Sequence, residues 1–336
     1  MKKWYHLLTF IIIFALLTVS CGQLSVAASY WYQPDDVTLG NNIYNITEYP
    51  SFQWYYLDAM LNDNYSIHIG MVTIGCKATY GFFLFRINIY HQSEILEKKY
   101  KLVPLRQLSF SQQEPGITLG DEHILKGSVN NQGQLVTNIT MSIDNVAVNL
   151  TFIGQTQGWI GHTGKGIWGC PLPKAHVQGT LVIDEENIDV SGVGYQEHGW
   201  DIQRLHRSWY WGKFSTNTTN VIFSQNMKNR REEDTFIVMV NHGEDNYTSI
   251  KRENIEFSHD KYTVSYGRLI PTQSILRIYQ DDISVDVTIE IDHIHFTTLL
   301  LMSHWRFHAD VTGEIIINNH KELVNGYQIM ELFRFP

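Results

Sequence analysis

The sequence repeats one short stretch, which reads VQGTLVID at residues 177–184 and VTGEIIIN at residues 311–318. The two copies align without a gap at an offset of 134 residues, and six of the 22 positions from residue 177 onward are identical. Both copies alternate apolar and polar residues over their first five positions, residues 177–181 and 311–315, and continue into a Val-x-Gly segment, at Val190–Gly192 and Val324–Gly326. Alternation with a period of two is typical of half-buried β-strands. Each copy therefore predicts a β-hairpin.

The same alternation recurs along the rest of the chain. It is clear at Ile67–Ile69, Val146–Val148 and Ser284–Ile291, and turn-forming residues such as Asn62–Asn64 stand between such runs. Few segments sustain helical spacing, and Ser93–Tyr100 is the best candidate for a short helix. The sequence thus predicts an all-β protein.

The repeat also predicts a duplication. The aromatic run Trp54–Tyr56 is echoed by Trp209–Trp211, so each half begins with an aromatic strand and ends with a Val-x-Gly hairpin. Units of this length suit closed antiparallel barrels. We expect two antiparallel β-barrels in tandem, related by a pseudo-twofold operation, over residues 29–204 and 205–336.

Composition excludes several functional classes. Hydrophobic residues make up 43% of the 336 residues and charged residues 18%, which excludes a disordered chain. The net charge of −9 offers no basic surface for phosphate backbones, so nucleic acid is not an expected partner. The 18 Tyr, 16 Phe and 9 Trp supply stiff apolar surface for cores and ligand sites.

The amino terminus predicts export. Two lysines precede the apolar run Leu7–Val19, which has the length of a signal-peptide core and is too short for a membrane span. Residues 1–28 are therefore assigned as a signal segment, with small residues at 26–28 for cleavage. Alternatively, Cys21 ends an imperfect lipobox and becomes a lipidated first residue, and an uncleaved anchor is the third option. The expected location is secreted or at the cell surface, with membrane association through the amino terminus.

Two further features fit an exported chain. Cys76 and Cys170 either form one disulfide or remain buried free thiols. The sequence also contains six predicted N-glycosylation sites. These sites are Asn45, Asn64, Asn138, Asn149, Asn217 and Asn246.

The densest chemical segment runs from Gly192 to Asp201 and is followed by Trp209–Gly212. It places Glu197 and His198 among several aromatic residues. Glu197 or His198 could transfer a proton to or from an apolar substrate, and the faces of the aromatic rings could stabilise the cation that forms. The structural alternative is a seam between barrels in which Glu197 and His198 bond to each other. Since Glu197 aligns with Glu331 but His198 aligns with Leu332, the imidazole is the residue that breaks the repeat.

These motifs resemble the carotenoid 1,2-hydratase (hydroxyneurosporene synthase) and AttH-like lipocalin-type family, which includes fungal Diels–Alderase-type cyclases. The resemblance lies in SFQWYYLD at residues 51–58, GTL at 179–181, GYQEHGW at 194–200, WYWG at 209–212 and WRF at 305–307. The family sequence Gly-Tyr-His-Asp-His-Asn-Trp-Gly differs at four positions. These positions hold Gln196, Glu197, Gly199 and Asp201 here.

The resemblance implies two lipocalin-like barrels, an apolar ligand cavity and no metal or organic cofactor. Family activities include hydration of an isolated double bond and ring closure. Carried over by position, Glu197 and His198 are the candidate catalytic residues. The candidate ligand-binding residues are Trp54, Tyr56, Tyr195, Trp200, Trp209 and Trp211.

A cluster of histidines near the carboxyl terminus is a second candidate site, in this case for a metal ion. His293 and His295 would share one face of a strand, near His304 and His308, but no cysteine or acidic ligand is obviously placed with them. Core or surface histidines on a C-terminal hairpin are the simpler interpretation, and no metal is expected.

Three functional classes remain open. The first is an enzyme that hydrates or cyclises an alkene of an isoprenoid or another lipid. The second is a non-catalytic carrier of the same kind of molecule, and the third is a structural surface glycoprotein with filled barrels.

Overall fold

The computed structural model describes residues 34–44, 52–77, 80–162, 166–202, 208–227, 234–243, 246–299 and 302–334. The predicted signal segment with Cys21, and the sequon at Asn45, lie outside these ranges. Within them no helix is long and apolar enough to cross a membrane. The helical elements described are single 3₁₀ turns, at Leu39–Asn42, Asn62–Asn64, Leu105–Gln107 and Arg252–Asn254.

Strands account for most of the described chain. Those of the first half are β1 (Asp35–Asp36), β2 (Phe52–Leu61), β3 (Tyr65–Lys77), β4 (Tyr80–His91), β5 (Glu94–Pro104), β6 (Leu108–Phe110), β7 (Gly116–Leu119), β8 (Glu122–Val129), β9 (Leu135–Ile143), β10 (Val146–Gly154), β11 (Trp159–His162), β12 (Ile167–Ile183) and β13 (Glu186–Ile202). Those of the second half are β14 (Ser208–Ser215), β15 (Thr219–Met227), β16 (Thr235–His242), β17 (Tyr247–Ser249), β18 (Ile255–Ser265), β19 (Arg268–Gln280), β20 (Ile283–Leu299), β21 (Met302–Ile317) and β22 (His320–Arg334).

The strands form two antiparallel sheets. The first runs in the order β5-β4-β3-β2-β13-β12-β10-β9-β8-β7-β6 and is nearly closed; β11 pairs with β12, and β1 pairs with β11. The second is a half-barrel in the order β17-β16-β15-β14-β22-β21-β20-β19-β18. The chain passes between sheets between Ile202 and Ser208. The prediction of an all-β protein with two tandem barrels is confirmed, and we call the two units the first and second barrel.

The predicted duplication is also confirmed by strand register. Val177 pairs with Gly192 across β12 and β13, just as Val311 pairs with Gly326 across β21 and β22. The glycine of each repeated stretch has the same unusual backbone, with φ of 149° at Gly179 and 148° at Gly313. A Cβ atom would lie 2.0 Å from a backbone carbonyl oxygen at the first glycine and 2.1 Å from one at the second. The repeat therefore retains glycine because the neighbouring strand approaches too closely for a side chain.

The predicted short helix at Ser93–Tyr100 is wrong. Gln92 and Ser93 both have positive φ, as in a two-residue hairpin turn, and β5 then pairs along the whole of β4. The backbone hydrogen bonds of that pairing override the weak helical spacing of the segment.

The interiors of both barrels are filled around the described residues. Inward-facing side chains such as Leu57, Ile69 and Phe152 in the first barrel, and Val221 and Leu276 in the second, have no exposed surface. Neighbouring atoms enclose them completely, so no void large enough for water adjoins them. The apolar cavity implied by the family resemblance is not found beside these side chains.

Candidate functional site

The two barrels meet through side chains of β2, β3, β4, β12 and β13 in the first barrel and of β14, β21 and β22 in the second. Side chains alternate along a strand, so Tyr55 and Leu57 enter the first core while Trp54, Tyr56 and Asp58 point outward. On β14, Trp211 and Lys213 likewise leave the second barrel and contact Tyr56 and Asp58. We call the buried set between the barrels the inter-barrel layer. It comprises Trp54, Tyr56, Asp58, His68, Arg86, Trp168, Tyr195 and Glu197 of the first barrel and Trp209, Trp211, Lys213, His304, Arg306 and Glu331 of the second.

Glu197 lies in this layer, held by three neutral donors. The indole nitrogen of Trp54 donates to Oε1 at 2.8 Å, and the indole nitrogen of Trp168 donates to Oε2 at 2.8 Å. The phenol of Tyr195 also donates to Oε2, at 2.7 Å. Glu197 is only 9% exposed.

Burial raises the pKa of Glu197 to about 7, although the bonds from Tyr195, Trp54 and Trp168 favour the ionised form. A carboxyl group with this pKa exchanges a proton close to neutral pH, as a general acid or base must. The rings of Tyr56 and Trp211 pack on Tyr195, which bonds to Glu197, and these rings would stabilise a cation formed nearby.

Glu331 occupies the equivalent position in the second barrel but has different partners. Glu197 pairs with Tyr56 across β13 and β2, and Glu331 pairs with Trp211 across β22 and β14. Glu331 bonds to Arg306, and one of its oxygens lies 3.2 Å from Nε2 of His304. Burial would raise the pKa of Glu331, but Arg306 and His304 outweigh it and hold that pKa well below its usual range.

The duplicated carboxylates have therefore diverged in protonation. One is held as an anion by a guanidinium, while the other is held by neutral groups and titrates near pH 7. Two nearby carboxyl groups whose pKa values are pushed apart in this way are typical of enzyme sites in which one group transfers a proton and the other stays ionised.

His198 lies on the opposite face of β13. Its Nε2 lies 2.9 Å from Oε1 of Gln53, its Nδ1 lies 3.2 Å from the carbonyl oxygen of Asn41, and its ring stacks on Tyr55 at 4.0 Å. Burial lowers the pKa of His198 to about 3, so the imidazole is neutral. No bulge brings Glu197 and His198 to one pocket, because the pairing of β13 with β2 is continuous through both residues.

The six residues predicted to bind a ligand lie either in the inter-barrel layer or beside His198. Trp54, Tyr56, Tyr195 and Trp211 lie with Glu197 in the inter-barrel layer. Trp209 borders the same layer and stacks on Phe333 at 4.2 Å. Trp200 instead lies beside His198, with 4.6 Å between ring centroids.

The sequence interpretation missed four residues that shape the layer. Trp168, whose indole donates to Glu197, and Lys213 were not singled out. Asp58 and Arg306 stood inside quoted motifs but received no role. These residues lie far apart in the chain, so no local pattern could pair them.

The C-terminal histidines have separate partners. His293 lies 3.4 Å from Glu94, and Nε2 of His295 lies 2.7 Å from the carbonyl oxygen of Ser93. His304 contacts Glu331, and His308 lies 2.9 Å from the hydroxyl of Ser66. In the part of the chain that the structure describes, no group of three or more His, Cys, Asp or Glu side chains could hold a metal ion.

Cys170 is a buried free thiol whose sulfur lies 3.4 Å from the carbonyl oxygen of Gln196. The structure therefore has Cys170 as a free thiol rather than in a disulfide. Among the predicted glycosylation sites, Asn64, Asn149, Asn217 and Asn246 are exposed, whereas Asn138 is half-buried.

We expect His198 to make stability depend on acid pH. The unfolded chain binds a proton near pH 6.5, whereas folded His198 has a pKa of about 3, so the free energy of unfolding falls as pH drops below 6.5. His198→Gln should reduce that slope by up to about 1.4 kcal/mol per pH unit between about pH 6 and 4. Urea unfolding over a pH series measures the slope, and an unchanged slope would show that folded His198 titrates normally.

We also expect Gly199→Ala to disturb Glu197 through Trp54. A Cβ atom at Gly199 would lie 2.3 Å from Cζ2 of the Trp54 indole, so the ring must move and its bond to Glu197 is lost. Loss of a donor to the ionised form should raise the pKa of Glu197 above 7. The control is Gly326→Ala, where the nearest atom would be 3.7 Å away. Infrared titration of the carboxyl group measures the shift, and equal pKa values in both variants would contradict the expectation.

Comparison with known proteins supports the fold. No protein-family model and no curated protein matches the sequence. An AttH protein structure from Nitrosomonas europaea is similar, with a TM-score of 0.61, 11% identity and coverage of 85% of this chain and 93% of that one. Kievitone hydratase from Nectria haematococca gives 0.60 and 14%, covering 90% and 98% of the two chains. CghA with Sch210972 gives 0.54 and 10%, covering 85% and 89%. The predicted AttH-like resemblance is thus confirmed at the level of fold, and the chain has the lipocalin-like two-barrel architecture of the AttH and kievitone hydratase structures.

Proposed function

We propose that the protein is an enzyme that hydrates or cyclises an alkene of an apolar small molecule, an isoprenoid or another lipid, held in the inter-barrel layer. The observation that carries the proposal is the environment of Glu197, a buried carboxyl group with a pKa of about 7 among indole and phenol rings. In this proposal the protonated form of Glu197 transfers a proton to the alkene. The rings of Tyr56, Tyr195 and Trp211 stabilise the cation, and the carboxylate recovers a proton from the attacking water or from the cyclised product.

The carrier alternative fits the structure less well. A pure carrier needs apolar surface, whereas this layer contains Glu197, Asp58, Lys213, Arg306 and Glu331. The filled interiors favour the third alternative, a structural glycoprotein. That alternative gives no reason for a carboxyl group poised near pH 7. His198 faces away from the layer, so we propose that it supports the reaction only through the packing of β13.

Native mass spectrometry tests the proposal. Wild-type protein and Glu197→Gln are purified in the same way, and bound molecules are extracted and compared. We expect the variant to retain the substrate and the wild type to hold a product that is one water heavier, for hydration, or of equal mass but different retention time, for cyclisation. Identical molecules in both proteins would establish a carrier, and no bound molecule in either would favour a structural role.

We further propose that the protein acts outside the cytoplasm, on the strength of the lysine pair and the apolar run near its amino terminus. Amino-terminal sequencing of exported protein tests this, and an intact Met1 on cytosolic protein would refute it. Incorporation of labelled palmitate that is lost in Cys21→Ala would distinguish a lipid anchor from plain secretion.

A further inference from the structure

The guanidinium of Arg306 is buried, but only part of its hydrogen-bonding capacity is used. It is 1% exposed and bonds to Glu331 through Nη2. Its Nε and Nη1 atoms have no hydrogen-bond partner among the described residues. A guanidinium has five donor hydrogens in a fixed plane, and leaving them unpaired in a buried site is unfavourable.

A second unpaired group lies beside the same aromatic ring. The Arg306 guanidinium carbon lies 5.6 Å from the centre of the Tyr56 ring, and the His68 ring centre lies 4.7 Å from it. His68 is 3% exposed, and its Nδ1 also lacks a partner in the described part of the chain. The indole nitrogen of Trp211, whose ring packs on Tyr56 at 5.3 Å, is also a donor without a partner among the described residues. Nδ1 of His68 is a donor in the tautomer that carries its proton on that nitrogen.

Within the described ranges, the charged groups close to these donors are two arginines and one carboxylate, so positive charge is in excess. Arg306 and Arg86 both lie near His68, and Glu331 is the carboxylate that contacts this group. Nη1 of Arg86 lies 3.4 Å from Nδ1 of His304 rather than beside an acid. An oxygen that carries negative charge, or a strong acceptor, is the chemical group that would satisfy these donors.

We propose that Arg306 and His68 form an acceptor-binding subsite, so that the ligand is an amphipathic molecule with a carboxylate or a comparably acidic oxygen rather than a pure hydrocarbon. This proposal rests on the proposed function and specifies its substrate class. Tyr56 and Trp211 lie between this subsite and Tyr195, which bonds to Glu197. The polar end of the ligand is therefore held at Arg306 while its apolar part lies over the rings that lead to the carboxyl group.

Binding of two matched probes tests the subsite. Farnesoic acid and farnesene share an isoprenoid chain and differ in the carboxylate, and tryptophan fluorescence of the full chain reports their binding. We expect the wild type to bind the acid at least tenfold more tightly than the hydrocarbon. His68→Phe, which keeps a ring against Tyr56, should reduce that preference several-fold. The double variant Arg306→Met with Glu331→Gln, which removes the buried pair together, should reduce it to nearly one. His320→Phe, at the exposed first residue of β22, is the matched control and should keep it.

The outcomes separate this subsite from the proposed function. Equal binding of the acid and the hydrocarbon by the wild type would overturn the subsite alone. An undiminished preference in both variants would also overturn it. Binding of neither probe would contradict the subsite and the hydrophobic-ligand proposal together. Because Glu197→Gln should keep the preference for the acid, loss of turnover in that variant does not bear on the subsite.

Discussion

Glu197→Gln is expected to lower kcat by about 10²–10⁴-fold while the protein stays folded, because the amide keeps the shape of the side chain but cannot transfer a proton. The substrate for this measurement is the molecule recovered from the variant by native mass spectrometry. Turnover is followed by chromatography of the substrate and the product. Binding should change little, since the rings that hold the apolar part of the ligand remain.

Glu186→Gln is the matched control, because it makes the same chemical change on an exposed residue of the same strand. It should leave turnover unchanged. If Glu197→Gln retained turnover within a few-fold of the wild type, Glu197 would be a packing residue of the seam.

Lys213→Met is expected to destabilise the protein by about 3–5 kcal/mol, because it leaves a buried carboxylate without its cation. Lys213 Nζ lies 3.0 Å from Oδ1 of Asp58, and the two side chains are 6% and 0% exposed. The pair joins β14 of the second barrel to β2 of the first, so its loss should also weaken the contact between the barrels. Urea unfolding at neutral pH measures the loss.

Two controls isolate the buried charge as the cause. The double variant Lys213→Met with Asp58→Asn removes both charges and should recover most of the stability. Lys321→Met breaks an exposed ion pair with Glu314 and should cost less than about 1 kcal/mol. Equal losses in Lys213→Met and Lys321→Met would contradict a special role for the buried pair.

Much of the fold could be predicted because its signals are local. The alternation at residues 177–181 and 311–315, with a glycine at the same place in each copy, predicts the hairpins and the duplication. The helix predicted at Ser93–Tyr100 failed because the pairing of β5 with β4 is a long-range effect that the segment itself does not encode.

The candidate site could be predicted only in part. The sequence located Glu197 among aromatic residues, but it could not decide whether a bulge places His198 on the same face. Bulges fall instead on β12, in the intervals that contain Pro171 and Pro173, where proline cannot donate a backbone hydrogen bond, and on β13 only beyond Gly199. Glu197 and His198 therefore stay on opposite faces. The unequal environments of Glu197 and Glu331 arise from Trp168 and Arg306, whose contacts no sequence spacing reveals.

A shift in the pKa of Glu197 has a measurable effect on stability. The folded pKa of about 7 exceeds the unfolded value near 4.5, so the folded state is favoured below pH 4.5 and loses roughly 3 kcal/mol of that advantage as pH rises through 7. Glu197→Gln lacks this penalty. We expect the variant to gain stability relative to the wild type between about pH 4.5 and 7, and urea unfolding over that range measures the gain. A difference that does not vary with pH would contradict the raised pKa.

The most direct measurement is an infrared titration of Glu197 in the folded, ligand-free protein. The carbonyl band of the protonated carboxyl group is obtained as the difference between wild type and Glu197→Gln at each pH. We predict that this band disappears with a midpoint near pH 7. A midpoint near pH 4.5 would show that Glu197 is an ordinary ionised carboxylate at neutral pH, and it would contradict the acid–base role on which the proposed function depends.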